Sequence, residues 1–307
     1  MNKTDLIVIL GVTATGKTKL ATHLAEKLNG EIISADSRQV YKGMDIGTGK
    51  DLNDFVVNNK QIPYHLIDIK NSGEEYNVFE FQKDFLDAYK IITDKKKQAI
   101  LCGGTGLYLE AVLKGYRMLE IPEDKSLKKQ LELKNNQELI QILQQFKPLH
   151  NTTDTEDKER LIKAVEIATY QENNKDLMAD FPVINYQLIG IHFEREEIRQ
   201  RITARLAHRL ENENMIGEVE MLLKNGVSAE KLKFYGLEYK LVTAYLLNEI
   251  TKNELFTKLN IAIHQFSKRQ ATWYRKMEKN GFNINWIDGN LSLEEKVNEV
   301  IRLLTSR

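Results

Sequence analysis

Gly11-Val12-Thr13-Ala14-Thr15-Gly16-Lys17-Thr18 stands between a short apolar run, Leu6-Ile7-Val8-Ile9-Leu10, and Lys19-Leu20-Ala21-Thr22-His23-Leu24-Ala25, whose Leu20 and Leu24 fall four apart. The order is strand, glycine loop, helix, which is the setting a phosphate-binding P-loop requires. Glycines let several backbone N–H groups converge on one anion, and the helix N-terminus adds partial positive charge. Lys17 is placed to neutralise phosphate oxygens, and the Thr18 hydroxyl to hold a Mg2+ that bridges them. An ordinary tight turn is the alternative, and the flanking strand and helix disfavour it. The loop alone does not say which phosphate compound it holds.

Working outward, strand-like runs recur with helical patterns between them: Glu31–Ser34, Tyr64–Ile69, Gln98–Cys102 and Tyr186–Ile191. Short, near-continuous apolar runs suit a parallel sheet buried on both faces, and their alternation with helices predicts an α/β fold with function at the carboxyl ends of the strands. Those ends are chemically loaded. One carries the P-loop, the next Asp36-Ser37-Arg38-Gln39, and a later one Gly103-Gly104-Thr105-Gly106, which reads equally well as an anion site or a plain turn. Between Gly115 and Gly190 there is no glycine, and Leu127, Leu131, Leu139, Ile142, Leu143, Leu161, Ile162, Val165, Ile167 and Ala168 fall at helical spacing. The expected organisation is therefore a core over residues 1–119 and 183–307, with an all-helical insertion at 120–182. Asn151-Thr152-Thr153-Asp154 supplies capping chemistry for the insertion's second helix group.

The 307 residues are 42% hydrophobic and 29% charged, with 44 basic and 44 acidic side chains. No global field points to a polyanion, so any such site is a local patch. The single cysteine, Cys102, leaves no internal disulfide and fits a reducing compartment. No apolar stretch approaches the roughly 20 residues of a membrane span, and too few residues precede the first strand for a signal peptide. A cytoplasmic protein without a membrane partner is expected.

Residues 194–210 read as a helix with Ile198, Ile202, Leu206 and Leu210 as its buried stripe and Arg201, Arg205 and Arg209 along one flank. Arg201 and Arg205 are assigned to the phosphate site, which needs more charge than one lysine supplies. Arg209 is assigned to a solvated edge paired with nearby glutamates. A second long helix spans Leu255–Met277, with Phe266 and Trp273 read as core, and with His264, Lys268, Arg269, Arg275 and Lys276 on a basic face. Such a face can track a phosphate backbone, although the pattern alone fits a solvated surface better.

Four stretches together carry a resemblance. They are Gly11–Thr18, Ser34-Ala35-Asp36-Ser37-Arg38-Gln39-Val40-Tyr41-Lys42-Gly43-Met44-Asp45-Ile46-Gly47-Thr48, Gly103-Gly104-Thr105-Gly106-Leu107-Tyr108, and Lys268-Arg269-Gln270-Ala271-Thr272-Trp273-Tyr274-Arg275. In this order they resemble the tRNA dimethylallyltransferase family, also called tRNA isopentenyltransferases. The resemblance implies a P-loop kinase-like parallel sheet flanked by helices, with an insertion that grips the anticodon stem-loop of tRNA. It implies transfer of a dimethylallyl group from dimethylallyl diphosphate to N6 of the adenine 3′ of the anticodon. By the same resemblance, Gly11, Val12, Thr13, Ala14, Thr15, Gly16, Lys17 and Thr18 hold the diphosphate with Arg201 and Arg205, and Thr18 ligates Mg2+. Asp36 is the general base, Thr13 helps to place it, and Arg205 balances the leaving pyrophosphate. Asp36, Ser37, Arg38 and Gln39, together with Thr105, Glu159, Arg160, Lys163, Lys268, Arg269 and Arg275, meet the RNA. The chain is expected to act as a monomer.

The chain departs from the family at Val12, where proline is usual, and at His150–Asp154, in place of a proline-asparagine turn. It departs again at Gly236-Leu237-Glu238-Tyr239-Lys240, in place of a stretch like Gly-Tyr-Lys-Glu. With no C-terminal Cys/His zinc module, it resembles the bacterial form. A P-loop small-molecule or nucleoside kinase, an adenylate isopentenyltransferase and a non-catalytic RNA-binding module are the rival readings.

Overall fold

The computed structural model describes residues 4–122, 124–146, 157–174, 176 and 181–305. Its first elements are β1 (Leu6–Leu10), α1 (Lys17–Leu28), β2 (Gly30–Ser34), β3 (Val56–Val57), β4 (Lys60–Gln61), β5 (Tyr64–His65), α2 (Val78–Asp94), β6 (Gln98–Gly103) and α3 (Gly106–Leu113). Next come α4 (Lys125–Glu132), α5 (Asn136–Phe146) and α6 (Lys158–Asn173). The chain continues through β7 (Tyr186–His192), α7 (Arg195–Glu211), α8 (Met215–Lys224), α9 (Ala229–Phe234), α10 (Leu237–Leu246), α11 (Lys252–Lys279), β8 (Asn285–Asp288) and α12 (Leu293–Thr305).

Among the described residues the main sheet has six strands in the order β5-β2-β6-β1-β7-β8, every pair parallel. The fold class is the α/β one expected. Every residue of β1 is buried, as an apolar run at the centre of a sheet covered on both faces must be. Leu10, the last residue of β1, lies in register with Gly103 of β6 and Gly190 of β7. The loops after β1 and β6 therefore leave the sheet side by side.

By packing, the chain divides into Met1–Lys114 with Val183–Arg307, and Gly115–Pro182. The smaller unit has its own core, in which Leu131, Leu139 and Leu143 meet Leu161, Ile162, Val165 and Ala168, with Leu127 and Ile142 against them. Ile167 is half-buried. Asp157 caps α6 by accepting hydrogen bonds from the Glu159 and Arg160 backbone N–H groups. The cap segment at Asn151–Asp154 and the His150–Asp154 turn lie outside the described residues.

The strand expected over Tyr64–Ile69 ends at His65. Leu66 and Asp68 adopt left-handed backbone angles (φ 62° and 57°), which no strand accommodates. The turn instead brings the Asp68 carboxylate to the fully buried Lys50 ammonium.

Glu31 in β2 is 1% exposed at its side chain and accepts from Lys97 (2.7 Å), Lys95 (3.2 Å) and His65 (2.8 Å). Burial pushes its carboxyl up, but the hydrogen bonds from Lys97, His65 and Lys95 outweigh it and hold it down at about 2. Because the folded value lies below the unfolded one, the stabilisation is present above the ordinary glutamate range. It is lost as pH falls from about 5 towards 2. We expect Glu31→Gln to cost about 2–3 kcal/mol at pH 7. Urea titrations should show the gap from the parent protein closing as pH falls towards 2.

Candidate active site

The P-loop leaves β1 and turns into α1 through Ala14 (φ 63°), a left-handed angle that strains a Cβ-bearing residue, and Gly16 (φ 81°), where glycine takes it freely. Lys17 Nζ donates to Val12 O (2.9 Å), and Thr15 Oγ1 donates to the same carbonyl (2.8 Å). Burial, with the Arg205 charge adding to it, pulls the Lys17 ammonium down to about 8, although Asp36 and Asp51 work against that fall. Thr18 lies half-buried in the first turn of α1, and its hydroxyl has no protein partner among the described residues.

Asp36 follows β2 at the same end of the sheet. Its carboxylate accepts from the Arg38 backbone N–H (2.9 Å). Burial pushes its pKa above the ordinary aspartate value, while the Arg38 and Gln39 N–H groups and the Lys17 charge hold it back. Thr105 faces this loop, accepting from the Ser37 N–H at 3.1 Å. Gln39 is engaged at both ends, taking the Ser34 hydroxyl (2.9 Å) and donating to Gly49 O (3.1 Å). Arg38 is stacked 5.9 Å from the centre of the Phe234 ring, which is itself 72% exposed. The thiol of Cys102, near enough to feel the Lys17 and Asp36 charges, is pushed by burial up to about 12 and is no nucleophile.

The arginines of α7 do not share one environment. Arg201 is exposed, donates to Ala14 O (3.0 Å) and covers the Phe193 ring at 4.4 Å. Arg205 is half-buried and pairs with Asp51. Arg209, assigned above to a solvated edge, is only 7% exposed and joins the same Asp51 carboxylate at 3.1 Å, with Glu213 at 3.8 Å. The correction has a physical cause, since a 100° step per residue sets the direction of a side chain but not what packs over it. A small cavity lined by Thr13, Ala14, Ile202, Arg205, Arg209 and Glu238 adjoins the P-loop.

The basic motif of α11 has two faces. Lys268, Arg269 and Arg275 are exposed. Gln270 and Tyr274, between them, are buried against the loops after β1 and β6: Gln270 Oε1 accepts from the Thr13 N–H (2.9 Å) and Nε2 donates to Gly104 O (3.0 Å). Tyr274 OH donates to Gly11 O at 3.0 Å, with Gly104 O at 3.3 Å. The helix thus ties the P-loop to the Gly103–Gly106 loop, whose Gly104 carbonyl is taken by Gln270 and Tyr274. Sequence reading missed this pair, although Gln270, Tyr274 and Met277 share one helix face at i, i+4, i+7. The core reading fails for Phe266, which is 40% exposed with Arg269 over its ring at 5.9 Å, whereas Trp273 is half-buried, its indole packed on Gly106 and Lys276 5.3 Å from its ring. In the smaller unit, Glu159, Arg160 and Lys163 are exposed on the first turns of α6.

At the strand ends, then, the glycine loop with Lys17 lies near the half-buried Asp36, whose carboxyl burial pushes up, and cations of α7 lie close by. A family model described as IPP transferase matches residues 39–277, and a second, isopentenyl transferase, matches residues 4–71. The chain belongs to the IPP transferase family. Among IPP transferase relatives, the tRNA dimethylallyltransferase 2 of Phocaeicola vulgatus is 53% identical over 307 residues, covering 100% of both chains. That of Bacteroides fragilis is 52% identical over 296 residues, 96% of each chain. The crystal structure of a full-length tRNA isopentenylpyrophosphate transferase from Bacillus halodurans has a TM-score of 0.71 at 32% identity, covering 98% of this chain and 96% of its own. These likenesses bear out the resemblance read from the motifs, and with family membership the chain is a transferase. Among the described residues, no helix is long and apolar enough to cross a membrane.

Proposed function

We propose that the protein transfers a dimethylallyl group from dimethylallyl diphosphate to N6 of the adenine 3′ of the anticodon in tRNA. The observation that carries this reading is the convergence, at the carboxyl ends of β1 and β2, of a lysine-bearing P-loop with the half-buried Asp36. The C1–O bond of the donor breaks and its electron pair leaves with diphosphate. C1 bonds to N6, and Asp36 takes the N6 proton. A primary allylic diphosphate ionises to a delocalised cation, so the enzyme's main task is to stabilise the departing anion and exclude water. Lys17, Arg205 and Arg201 carry that charge. An aromatic amine is a weak nucleophile, and a carboxylate at its proton supplies general-base catalysis. Thr13, on the cavity beside Arg205, helps to place the Asp36 base.

Among the described residues no group of three or more His, Cys, Asp or Glu side chains forms a metal cage. A Mg2+ here would suit the Thr18 hydroxyl together with donor oxygens and water, the ligand set this ion favours beside phosphates. When bound, it neutralises charge on the diphosphate.

The adenine leaves its stack to reach the strand ends. Ser37, Arg38, Gln39 and Thr105 surround it there, and Glu159, Arg160 and Lys163 of the smaller unit grip the anticodon arm. Lys268, Arg269 and Arg275 act on the RNA backbone through charge. Neutralising any one that meets a phosphate should weaken tRNA binding and flatten its salt dependence by about one unit of log–log slope. Donor affinity should be unchanged. An unaltered slope for all three would leave the smaller unit as the main RNA contact.

Incubation with labelled dimethylallyl diphosphate and tRNA, AMP or no acceptor tests the whole reading. Label should enter tRNA. Label entering only AMP would make the protein an adenylate isopentenyltransferase.

A further inference from the structure

We infer that Asp51 is a positioning residue for the diphosphate site, acting through Arg205 while Arg209 braces the same carboxylate. This deepens, and rests on, the proposal that the P-loop and Arg205 hold the donor diphosphate. One carboxylate serves both guanidinium groups: Oδ2 takes Nη2 of Arg205, and Oδ1 takes Nη2 of Arg209 at 3.1 Å. The two arginines sit one helical turn apart on α7, where like charges repel and long side chains are free to swing. A shared carboxylate removes both problems. It leaves Arg205 with most of its five N–H donors unused by Asp51.

The loop that presents Asp51 is built to stay in place. Glu218 of α8 accepts from the backbone N–H groups of Asp45 (2.8 Å), Ile46 (2.7 Å) and Gly47 (3.0 Å), and from Tyr239 OH (2.7 Å). Lys50, next in sequence to Asp51, is fully buried and bonded to Tyr41 O (2.7 Å), Asp45 (2.6 Å) and Asp68. Gln39, beside the Asp36 turn, donates to Gly49 O. Gly49 lets the arginines lie against the loop backbone, since a Cβ there would stand 2.7 Å from Arg209 Nη2 and 3.0 Å from Arg205 Nη2. Its φ of 70° also suits glycine.

A carboxylate on arginines beside an anion site could instead be a placeholder that the ligand displaces. The anchoring argues against it, because a segment fixed by Lys50 and Glu218 cannot swing away, and the mostly buried Arg209 cannot follow. The two roles differ in sign. A placeholder's removal tightens diphosphate binding, whereas a positioning residue's removal weakens it.

The test is calorimetric binding of inorganic pyrophosphate to the full chain, with melting temperature and tRNA affinity measured alongside. Asp51→Asn should weaken pyrophosphate at least about tenfold and leave tRNA affinity within about twofold. In an Arg205→Met background the same substitution should change pyrophosphate affinity less than about twofold, because the residue it acts through is gone. Asp51→Glu keeps the charge but moves the carboxylate by one methylene, and it should also weaken binding. It decides the matter if the Asn variant fails to fold. Tighter binding by Asp51→Asn, an equal loss in the Arg205→Met background, or wild-type binding by Asp51→Glu would each overturn the inference. Lys17→Ala in parallel separates the levels. If it too leaves pyrophosphate binding intact, the donor-site reading fails, whereas a loss there beside normal binding by Asp51→Asn defeats only the role given to Asp51.

Discussion

Asp36→Asn should lower the single-turnover rate of prenyl transfer about 10²–10⁴-fold, the usual worth of a general base, with donor and tRNA affinities near wild type. The substitution keeps the shape of the side chain and its acceptor for the Arg38 N–H, removing only basicity. Added Mg2+ should not restore the rate, whereas a metal ligand's loss would be partly rescued by it. The pH dependence follows from the sign of the shift. Burial raises the Asp36 pKa, so the base is protonated, and the rate falls, as pH drops through a value above the ordinary aspartate range. That acid limb should be absent from the Asn variant. Rescue by Mg2+, or an acid limb that persists, would reassign Asp36 to the metal.

Lys17→Ala should remove about 2–4 kcal/mol of transition-state stabilisation, a loss of roughly 30- to 1,000-fold in kcat/KM, judged from the removal of comparable preorganised donors. The charge it supplies matters most as the leaving diphosphate gains negative charge. Lys17 also gives donor binding a proton signature. Its ammonium is held down to about 8 in the free protein, and a diphosphate beside it raises that value again. Affinity should therefore be full below pH 8 and decline as pH rises through it, by up to about tenfold per unit. Calorimetry near pH 8 in buffers of different ionisation enthalpy should show protons taken up on binding. No such uptake is expected from the alanine variant. Wild-type turnover by that variant would mean the P-loop is not the donor site.

Local chemistry sufficed for part of this. Gly11–Thr18 specifies its own conformation, because glycine freedom, a preceding apolar run and a following helix are all encoded within about twenty neighbouring residues. The strands at Glu31, Gln98 and Tyr186 were legible for the same reason, as was the helical character of the segment around Leu139 and Val165. The motifs shared with the IPP transferases located Asp36 and the basic turn of α11 through their order along the chain.

What the tertiary structure decided was the partner of each side chain. Helical spacing set Arg209 on the same flank as Arg205, but only the packed loop ending at Asp51 made it buried and paired. Gln270 and Tyr274 look like interruptions in a basic stretch until the helix is laid across two loops more than 160 residues away, where they become the tie between them. Asp51 and Glu218 carry no local pattern, since their roles arise from contacts 154 and 173 residues distant in sequence. Short-range sterics and hydrophobic periodicity are written in neighbouring residues. The field around a charge is written by whatever the fold brings against it, and in this chain that field separates the exposed Arg201 from the buried, paired Arg209.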